Sequence, residues 1–380
     1  MQPDSADALS APGLLRRMAG LVADWQENAA ALDAGGAFPA TEFADLHAMG
    51  AYVAPLPELF GGVGLGTEPA GALDLLELLR LIGRGNLAVG RVFEGHVNAL
   101  KLVATYGTGS QLRAAADDAA AGHLFAIWNT EPNERLRLDD GKLHGRKIFC
   151  SAAGYATRAL VTAQVSDGQA SEGQTLDGQS HMIVVPLHIG ERVSGEKAHL
   201  QGMRACGTGS MDFDGAAVDA SALIGQPGDY LRQPEFSAGA WRTSAVTLGG
   251  LEALVEAARR QLAARNRHEA PHQAARMGAA LIAQETALLW VRKAAVIAER
   301  RDLVAEDVAG YVNLARIAVE TACLDAMRAV QRSLGLAGFL QSNPVERMMR
   351  DLATYLRQPA PDETLDEAAR WFMQRALPDA

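Results

Sequence analysis

The chain has 380 residues, of which 48% are hydrophobic and 21% charged, and its formal net charge is −10. This composition is typical of a globular protein with a sizeable core, and the length favours two or three structural units. A mildly acidic chain without long basic runs gives no electrostatic basis for binding nucleic acid or an anionic membrane. Its 3 cysteines lie far apart and indicate neither a disulfide framework nor a zinc site.

Nothing in the sequence resembles a targeting or membrane segment. The first residues, MQPDSADALSAPGLLRRMAG, place acidic residues before the arginines and lack a long apolar run. No apolar run approaches the roughly 20 residues that a membrane span requires. We therefore expect a cytoplasmic protein that acts on a small molecule, without a membrane, nucleic-acid or metal partner.

Helical spacing dominates residues 1–123, which we predict to form an N-terminal helical domain. Apolar residues recur at i, i+3 and i+4 over 14–32 and 73–82. Residues 41–50 begin with a capping threonine and end with glycine, as a short helix does. The Pro/Gly-rich stretch PLPELFGGVGLG between these segments predicts a loop.

Short strands are predicted in residues 124–226, the middle β-domain. The candidate runs, each bounded by Gly, Asp or Ser, are HLFAIWNT, KLHGRKIF, RALVTAQV, HMIVVPL and GSMDFDGAAV. The polar, glycine-rich residues 166–180 interrupt them without periodicity. This stretch is interpreted as a loop or hairpin excursion, because strand-like sequence resumes directly after it.

Helical periodicity returns in residues 227–380, the predicted C-terminal helical bundle. Leu248, Leu251, Leu254 and Leu262 lie on one helical face, and further helices are predicted over 279–300, 304–334, 344–356 and 362–377. The complete pattern predicts an α+β fold, with a central β-barrel or sandwich between a helical domain and a helix bundle.

Five segments, taken in order, resemble those of a known family. The first combines residues 38–39 (FP) and 57–65 (PELFGGVGL), and the second is 95–108, ending YGT. The third is 128–132 (WNTEP) and the fourth is 145–151 (GRKIFCS). The fifth combines 202–204 (GMR), 212–213 (DF), 344–347 (PVER) and 350–351 (RD). No single motif is specific, but the ordered set covers nearly the whole chain. It resembles the acyl-CoA dehydrogenase superfamily, which implies a flavoprotein that binds FAD.

An isoalloxazine ring requires apolar walls and a few placed hydrogen-bond donors. Thr130, at a strand end, would donate to the N1/O2 edge of the ring. Ser151 would lie on the same strand face as Phe149, two residues earlier, and reach N5. By resemblance, the backbone at Ile127 and Asn129 and the ring of Phe149 complete the pocket.

The pyrophosphate and adenine part of the cofactor site is split between subunits in the family. Arg265 stands where a family arginine reaches the FAD pyrophosphate of a neighbouring subunit, and a guanidinium suits phosphate well. Gln331 and Gly335 occupy the region of a family "Q-x-x-G-G-x-G" turn, although the glycine pair is broken here. A shared cofactor implies a homodimer or homotetramer.

Two departures bear on the activity. In the family a glutamate removes the substrate α-proton while flavin accepts a hydride, and its two usual positions hold Pro359 and Trp241 here. Arg242 follows the second position and is a candidate substrate contact. The family's thioester-binding loop is replaced by the sequence NERLRLD. Among other carboxylates, Asp362 or Glu363 could enter the site, or Glu252 could face it from the bundle.

Three functions remain open from the sequence. The first is an FAD-dependent oxidoreductase of the acyl-CoA dehydrogenase type that acts on a CH–CH donor and passes electrons to an unidentified acceptor. The second is a two-component monooxygenase or oxidase on the same fold, supplied by a flavin reductase. There Tyr355, Arg357 and Gln358 would be polar residues near the flavin. The third is a non-catalytic flavin-binding paralogue.

Overall fold

The computed structural model describes residues 9–165, 180–195 and 198–379. The predicted α+β class and its order of helices, strands and helices are confirmed. The polar stretch predicted as a loop lies outside the described residues, except for Ser180, which begins a strand. None of the helices in the described ranges is both long and apolar enough to cross a bilayer.

Five α-helices form the N-terminal part. They are α1 (Ala11–Gly35), α2 (Ala40–Ala48), α3 (Ala72–Gly85), α4 (Leu87–Tyr106) and α5 (Gly109–Ala120). The side chain of Asn86 caps α4 by accepting a hydrogen bond from the amide of Ala88 at 3.0 Å, and a capping box at Thr108 begins α5. The Asn86 cap lets α4 begin two residues after α3 ends, and the capping box at Thr108 lets α5 begin three residues after α4 ends.

Ten short strands form the middle part. They are β1 (Phe125–Trp128), β2 (Arg137–Asp139), β3 (Lys142–His144), β4 (Arg146–Cys150), β5 (Arg158–Val165), β6 (Ser180–Pro186), β7 (Val193–Ser194), β8 (Gly209–Asp212), β9 (Ala216–Ala217) and β10 (Leu223–Ile224).

The strands divide between two sheets. One has the order β10-β6-β5-β2-β3-β9, with β1 pairing parallel to β5, and the other has the order β4-β8-β7. The run KLHGRKIF, predicted as one strand, is therefore two strands in different sheets, divided at Gly145 with φ +119°. GSMDFDGAAV is divided in the same way into β8 and β9. The chain changes sheet at these points, as in sandwich folds.

Helices return at α6 (Glu235–Ala238) and continue to the C-terminal end. They are α7 (Ala240–Ala264), α8 (Pro271–Ala298), α9 (Ala305–Leu334), α10 (Pro344–Tyr355) and α11 (Pro361–Phe372). Helices α3 and α7 touch at backbone distance. A Cβ atom added at Gly83 would lie 2.2 Å from the carbonyl oxygen of Val246, and one at Gly249 would lie 2.0 Å from that of Arg80. Only glycine permits this crossing.

Candidate functional site

A cavity of about 560 Å³ lies where the strands meet α4 and the first turn of α7. Its strand side is formed by Ile127, Trp128, Asn129 and Thr130 at the end of β1, and by Ile148 and Phe149 of β4. The helical side includes Arg242, Gln358 and Pro359. The structure thus brings together residues that the sequence analysis selected from positions far apart in the chain.

Thr130 lines the strand side of the cavity, two residues after β1 ends. It is exposed, and its carbonyl oxygen accepts a hydrogen bond from the amide of Ile148 at 2.9 Å. Its hydroxyl and amide N–H make no hydrogen bond with the residues that the structure describes. Both donors are therefore available to a ligand in the cavity.

The ring of Phe149 is the apolar element of this wall. It is 59% exposed, and its backbone is left-handed with φ +54°. Register with β8 shifts between Lys147 and Cys150, which marks a bulge. An exposed aromatic ring held on a strained, bulged backbone is unfavourable for folding alone and suits a planar ligand.

The same bulge overturns the argument that placed Ser151 beside Phe149. Strand β4 ends at Cys150, and the left-handed residue breaks the two-residue alternation on which that argument rested. Ser151 does not line the cavity, and its carbonyl oxygen accepts a hydrogen bond from the indole of Trp128 at 2.9 Å. Its predicted contact with the flavin N5 atom remains a prediction without this geometric support.

A buried ion pair supports the turn that carries Asn129 and Thr130. The Lys147 side chain is 0% exposed, and its Nζ lies 2.6 Å from Oε1 of Glu131. The same Nζ lies 3.5 Å from the carbonyl oxygen of Asn129 and 3.3 Å from the hydroxyl of Thr162. Burial lowers the pKa of Lys147, and Glu131 counteracts this. The network fixes the strand end from behind.

The opposite wall of the cavity is unexpectedly charged. Helix α4 presents Arg91, Glu94, Asn98 and Lys101, spaced i, i+3, i+7 and i+10, which places them on one face. Sequence analysis missed this stripe, although its spacing was visible within an otherwise apolar helix. Glu299, which follows the last residue of α8, also lines the cavity and cannot be matched to α4 from sequence spacing.

Hydrogen bonds join these groups into two sets, which the ion pair of Arg242 with Glu299 at 3.6 Å connects. Arg91 donates to Glu94, and Asn98 donates to the other oxygen of Glu94 at 2.6 Å. Arg242 donates to Oδ1 of Asn98 at 2.8 Å, while Lys101 donates to Glu299 at 3.0 Å.

Burial shifts three of these groups toward their neutral forms. It raises the pKa of Glu94 and lowers the pKa values of Lys101 and Arg242. The ion pairs and hydrogen bonds of the cluster oppose these shifts.

The two positions at which the family resemblance would put a glutamate have different surroundings. Pro359 lines the cavity, whereas Trp241 is 1% exposed and packs in the core. The alternative carboxylates lie elsewhere. Glu252 pairs with Arg80 at 2.8 Å between α7 and α3, and Asp362 and Glu363 lie in the first turn of α11 outside the cavity lining. None of the three lines the cavity in this structure, so the alternative that one of them enters the site has no geometric support here.

The other predicted residues lie outside the cavity. Tyr355 is buried, and its carbonyl oxygen accepts a hydrogen bond from the side chain of Gln358 at 2.7 Å. Arg265 is exposed at the end of α7, while Gln331 and Gly335 lie at the end of α9. Their role toward a cofactor bound by a second subunit remains a prediction.

Comparisons with known proteins give relatives of one kind. No family model matches the chain. It is 26% identical over 324 residues to 3-sulfinopropanoyl-CoA desulfinase of Variovorax paradoxus, covering 78% of this chain and 77% of the relative. It is 27% identical over 349 residues to benzylmalonyl-CoA dehydrogenase of Aromatoleum aromaticum, covering 85% and 87%.

Two solved structures share the whole fold. TdsC of Paenibacillus sp. A11-2, a dibenzothiophene monooxygenase, was solved with FMN and indole. It superposes with a TM-score of 0.82 at 19% identity, over 96% of this chain and 98% of that one. Butyryl-CoA dehydrogenase of Megasphaera elsdenii gives a TM-score of 0.80 at 18% identity, over 98% and 100%.

Proposed function

Because this chain belongs to the acyl-CoA dehydrogenase superfamily, we propose that it is an FAD-dependent oxidoreductase that oxidises an acyl-type substrate. The observation that carries the proposal is the cavity itself. It joins the free donors of Thr130 and the exposed ring of Phe149 to a buried polar wall on α4. A flavin on the strand side would leave the helical side for a substrate.

The strand side fits a flavin by its chemistry. A bound flavin supplies a hydride acceptor at its N5 atom. Thr130 would donate its hydroxyl and amide hydrogens to the pyrimidine edge of the ring, and Phe149 would cover ring atoms. Lys147 and Glu131 would hold the strand end in place so that these donors are fixed before binding.

The adenine half of FAD belongs to the proposal as well. Arg265, Gln331 and Gly335 would contact the pyrophosphate or adenine of a cofactor bound by a partner subunit, so a homodimer or homotetramer would be the active form. The fold match to TdsC, solved with FMN, makes the cofactor's identity a separate question. Chromatography of the released cofactor distinguishes FAD from FMN.

Proton abstraction is assigned to the carboxylates that line the cavity, because Pro359 cannot act as a base. These are Glu94, Glu235 and Glu299. A base must reach the substrate carbon from the cavity wall, and the pKa of Glu94, raised by burial, suits that task. Single Glu→Gln variants that keep the flavin but lose substrate oxidation would identify the group.

A monooxygenase is the second candidate, and one observation favours it. Pro359 lines the cavity where the resemblance would put the catalytic glutamate, and an oxygenation reaction does not require that base. In this case a flavin reductase would supply electrons, and Gln358 would be the polar residue near the ring.

One experiment separates the candidates. The purified protein is loaded with FAD and mixed anaerobically with a panel of acyl-CoA thioesters. Loss of the visible flavin absorbance, on the order of one equivalent per site, supports dehydrogenation. If thioesters do not reduce the flavin, but the chemically reduced flavin transfers oxygen from O₂ to an added substrate, the monooxygenase is supported. A protein that binds neither FAD nor FMN contradicts both.

A further inference from the structure

The charges on the helical side of the cavity do not balance, because three cations, Arg91, Lys101 and Arg242, face two carboxylates, Glu94 and Glu299. Four of these side chains are buried, and that of Arg91 is 34% exposed. Glu94 is 1% exposed and is paired with Arg91. The remaining buried cations, Lys101 and Arg242, share one carboxylate, that of Glu299. This arrangement leaves one positive charge in excess beside the cavity.

The excess charge is located on Arg242. Lys101 lies 3.0 Å from Glu299, whereas the nearest Arg242 nitrogen is 3.6 Å away from the same carboxylate. Among the residues that the structure describes, the Arg242 guanidinium donates one hydrogen bond, to the neutral side-chain amide of Asn98. Its Nε is buried and has no hydrogen-bond partner among the described residues.

Such a group is costly to bury. The Arg242 side chain is 5% exposed, and its charge is met only in part by Glu299 at 3.6 Å and by the Trp241 ring, whose centroid lies 5.2 Å from Cζ. An anion that reaches it would therefore stabilise it further. Arg301, the remaining cation in the cavity lining, does not need a ligand in this way. Arg301 pairs with Glu235 at 3.2 Å, and its side chain is 58% exposed to water.

We propose that Arg242 binds a compact anionic group of the substrate, a carboxylate or a sulfinate, in the cavity opposite the flavin side. A planar guanidinium is suited to an anion with two oxygens. The same charges disfavour an unsubstituted alkyl chain, because the chain would displace water from them without replacing its hydrogen bonds. That the anion belongs to an acyl-type substrate rests on the proposed function.

Small anions test the site without turnover. Acetate and methanesulfinate are titrated by calorimetry into the flavin-loaded protein, with neutral acetamide as the reference. We expect saturable binding of both anions and none of acetamide. Arg242→Gln weakens anion binding by about 10- to 100-fold, the range for hydrogen bonds to a charged group. Glu299→Gln tightens binding, because it removes the internal competitor.

Two further variants make the result interpretable. Arg80→Gln removes an arginine that pairs with a buried glutamate away from the cavity, so the same net charge change leaves anion affinity unaltered. Arg242→Lys keeps the charge and preserves part of the affinity if Arg242→Gln does not fold. Equal affinity in wild type and both Arg242 variants overturns the proposal.

The thioester comparison then separates this inference from the proposed function. Glutaryl-CoA and butanoyl-CoA differ in one terminal carboxylate. Preference for glutaryl-CoA in flavin reduction, lost in Arg242→Gln, supports the inference. Flavin reduction by both thioesters with the same ratio in wild type and variant refutes the inference and leaves the proposed function intact. Anion binding at Arg242 by a protein that binds no flavin supports the inference and contradicts the proposed function.

Discussion

Replacement of Lys147 by methionine tests the buried network behind the strand end. The substitution conserves much of the side-chain volume but removes the charge that lies 2.6 Å from Glu131. The Glu131 carboxylate then loses its cation, and the hydroxyl of Thr162 and the carbonyl of Asn129 lose a donor. Removing one partner of a fully buried ion pair costs about 3–5 kcal/mol.

The expected cost lies at the lower end of that range. The side chain of Glu131 is 23% exposed, so water can solvate the carboxylate that remains. We therefore expect Lys147→Met to lower the free energy of unfolding of the cofactor-free protein by about 3 kcal/mol. Flavin affinity should fall as well, since the strand end carrying Thr130 is no longer held.

The assay is denaturant unfolding, followed by flavin titration of the folded protein. Lys142→Met is the matched control, because Lys142 is exposed on strand β3, which precedes β4 in the chain. Its effect should stay within about 0.5 kcal/mol. A Lys147→Met variant as stable as this control would refute the reasoning, and unchanged flavin affinity would remove Lys147 from the flavin site.

Three further predictions test other parts of the account. Phe149→Gly removes the strain of the left-handed backbone, so it should stabilise the cofactor-free protein by about 0.5–1 kcal/mol while it weakens flavin binding. A lower stability in denaturant unfolding would contradict this prediction. Gly83→Ala drives a Cβ atom toward the carbonyl of Val246 and should lower the free energy of unfolding by about 3 kcal/mol. Gly278→Ala, with open space around it, should instead stabilise helix α8 by up to about 1 kcal/mol. Similar melting temperatures for the two variants would argue against the close helix crossing. Burial lowers the pKa of His96 from 6.5 to about 4, so between these pH values the unfolded chain binds more protons than the folded protein. The free energy of unfolding should therefore fall by about 3 kcal/mol as the pH drops from 6.5 to 4. The His96→Gln variant should lose less stability across this interval, and an identical slope would count against a buried neutral histidine.

Much of the fold could be predicted from local patterns. Strand β5 matches the predicted run RALVTAQV, and helices α9 and α10 differ from their predicted ranges by one residue at one end. These elements have strong periodicity and clear boundaries, which local sequence encodes. The division of two predicted runs at the change of sheet depends on the packing of two sheets, and alternation alone could not reveal it.

The site was predictable on the strand side and not on the helical side. Asn129, Thr130 and Phe149 were recognised because short motifs carry them. The bulge beside Phe149 changes the orientation of the chain toward Ser151, and a period-two argument cannot anticipate it. The pairing of Lys101 with Glu299 joins residues 198 positions apart, so only the tertiary structure places them together.

The visible absorption spectrum of the purified protein, before and after incubation with excess FAD, tests the central claim most directly. The account predicts a yellow protein with flavin bands at about one equivalent per chain. Thr130→Ala should bind FAD more weakly, because it removes a hydroxyl donor at the cavity. A correctly folded protein that stays colourless with both FAD and FMN would contradict the account.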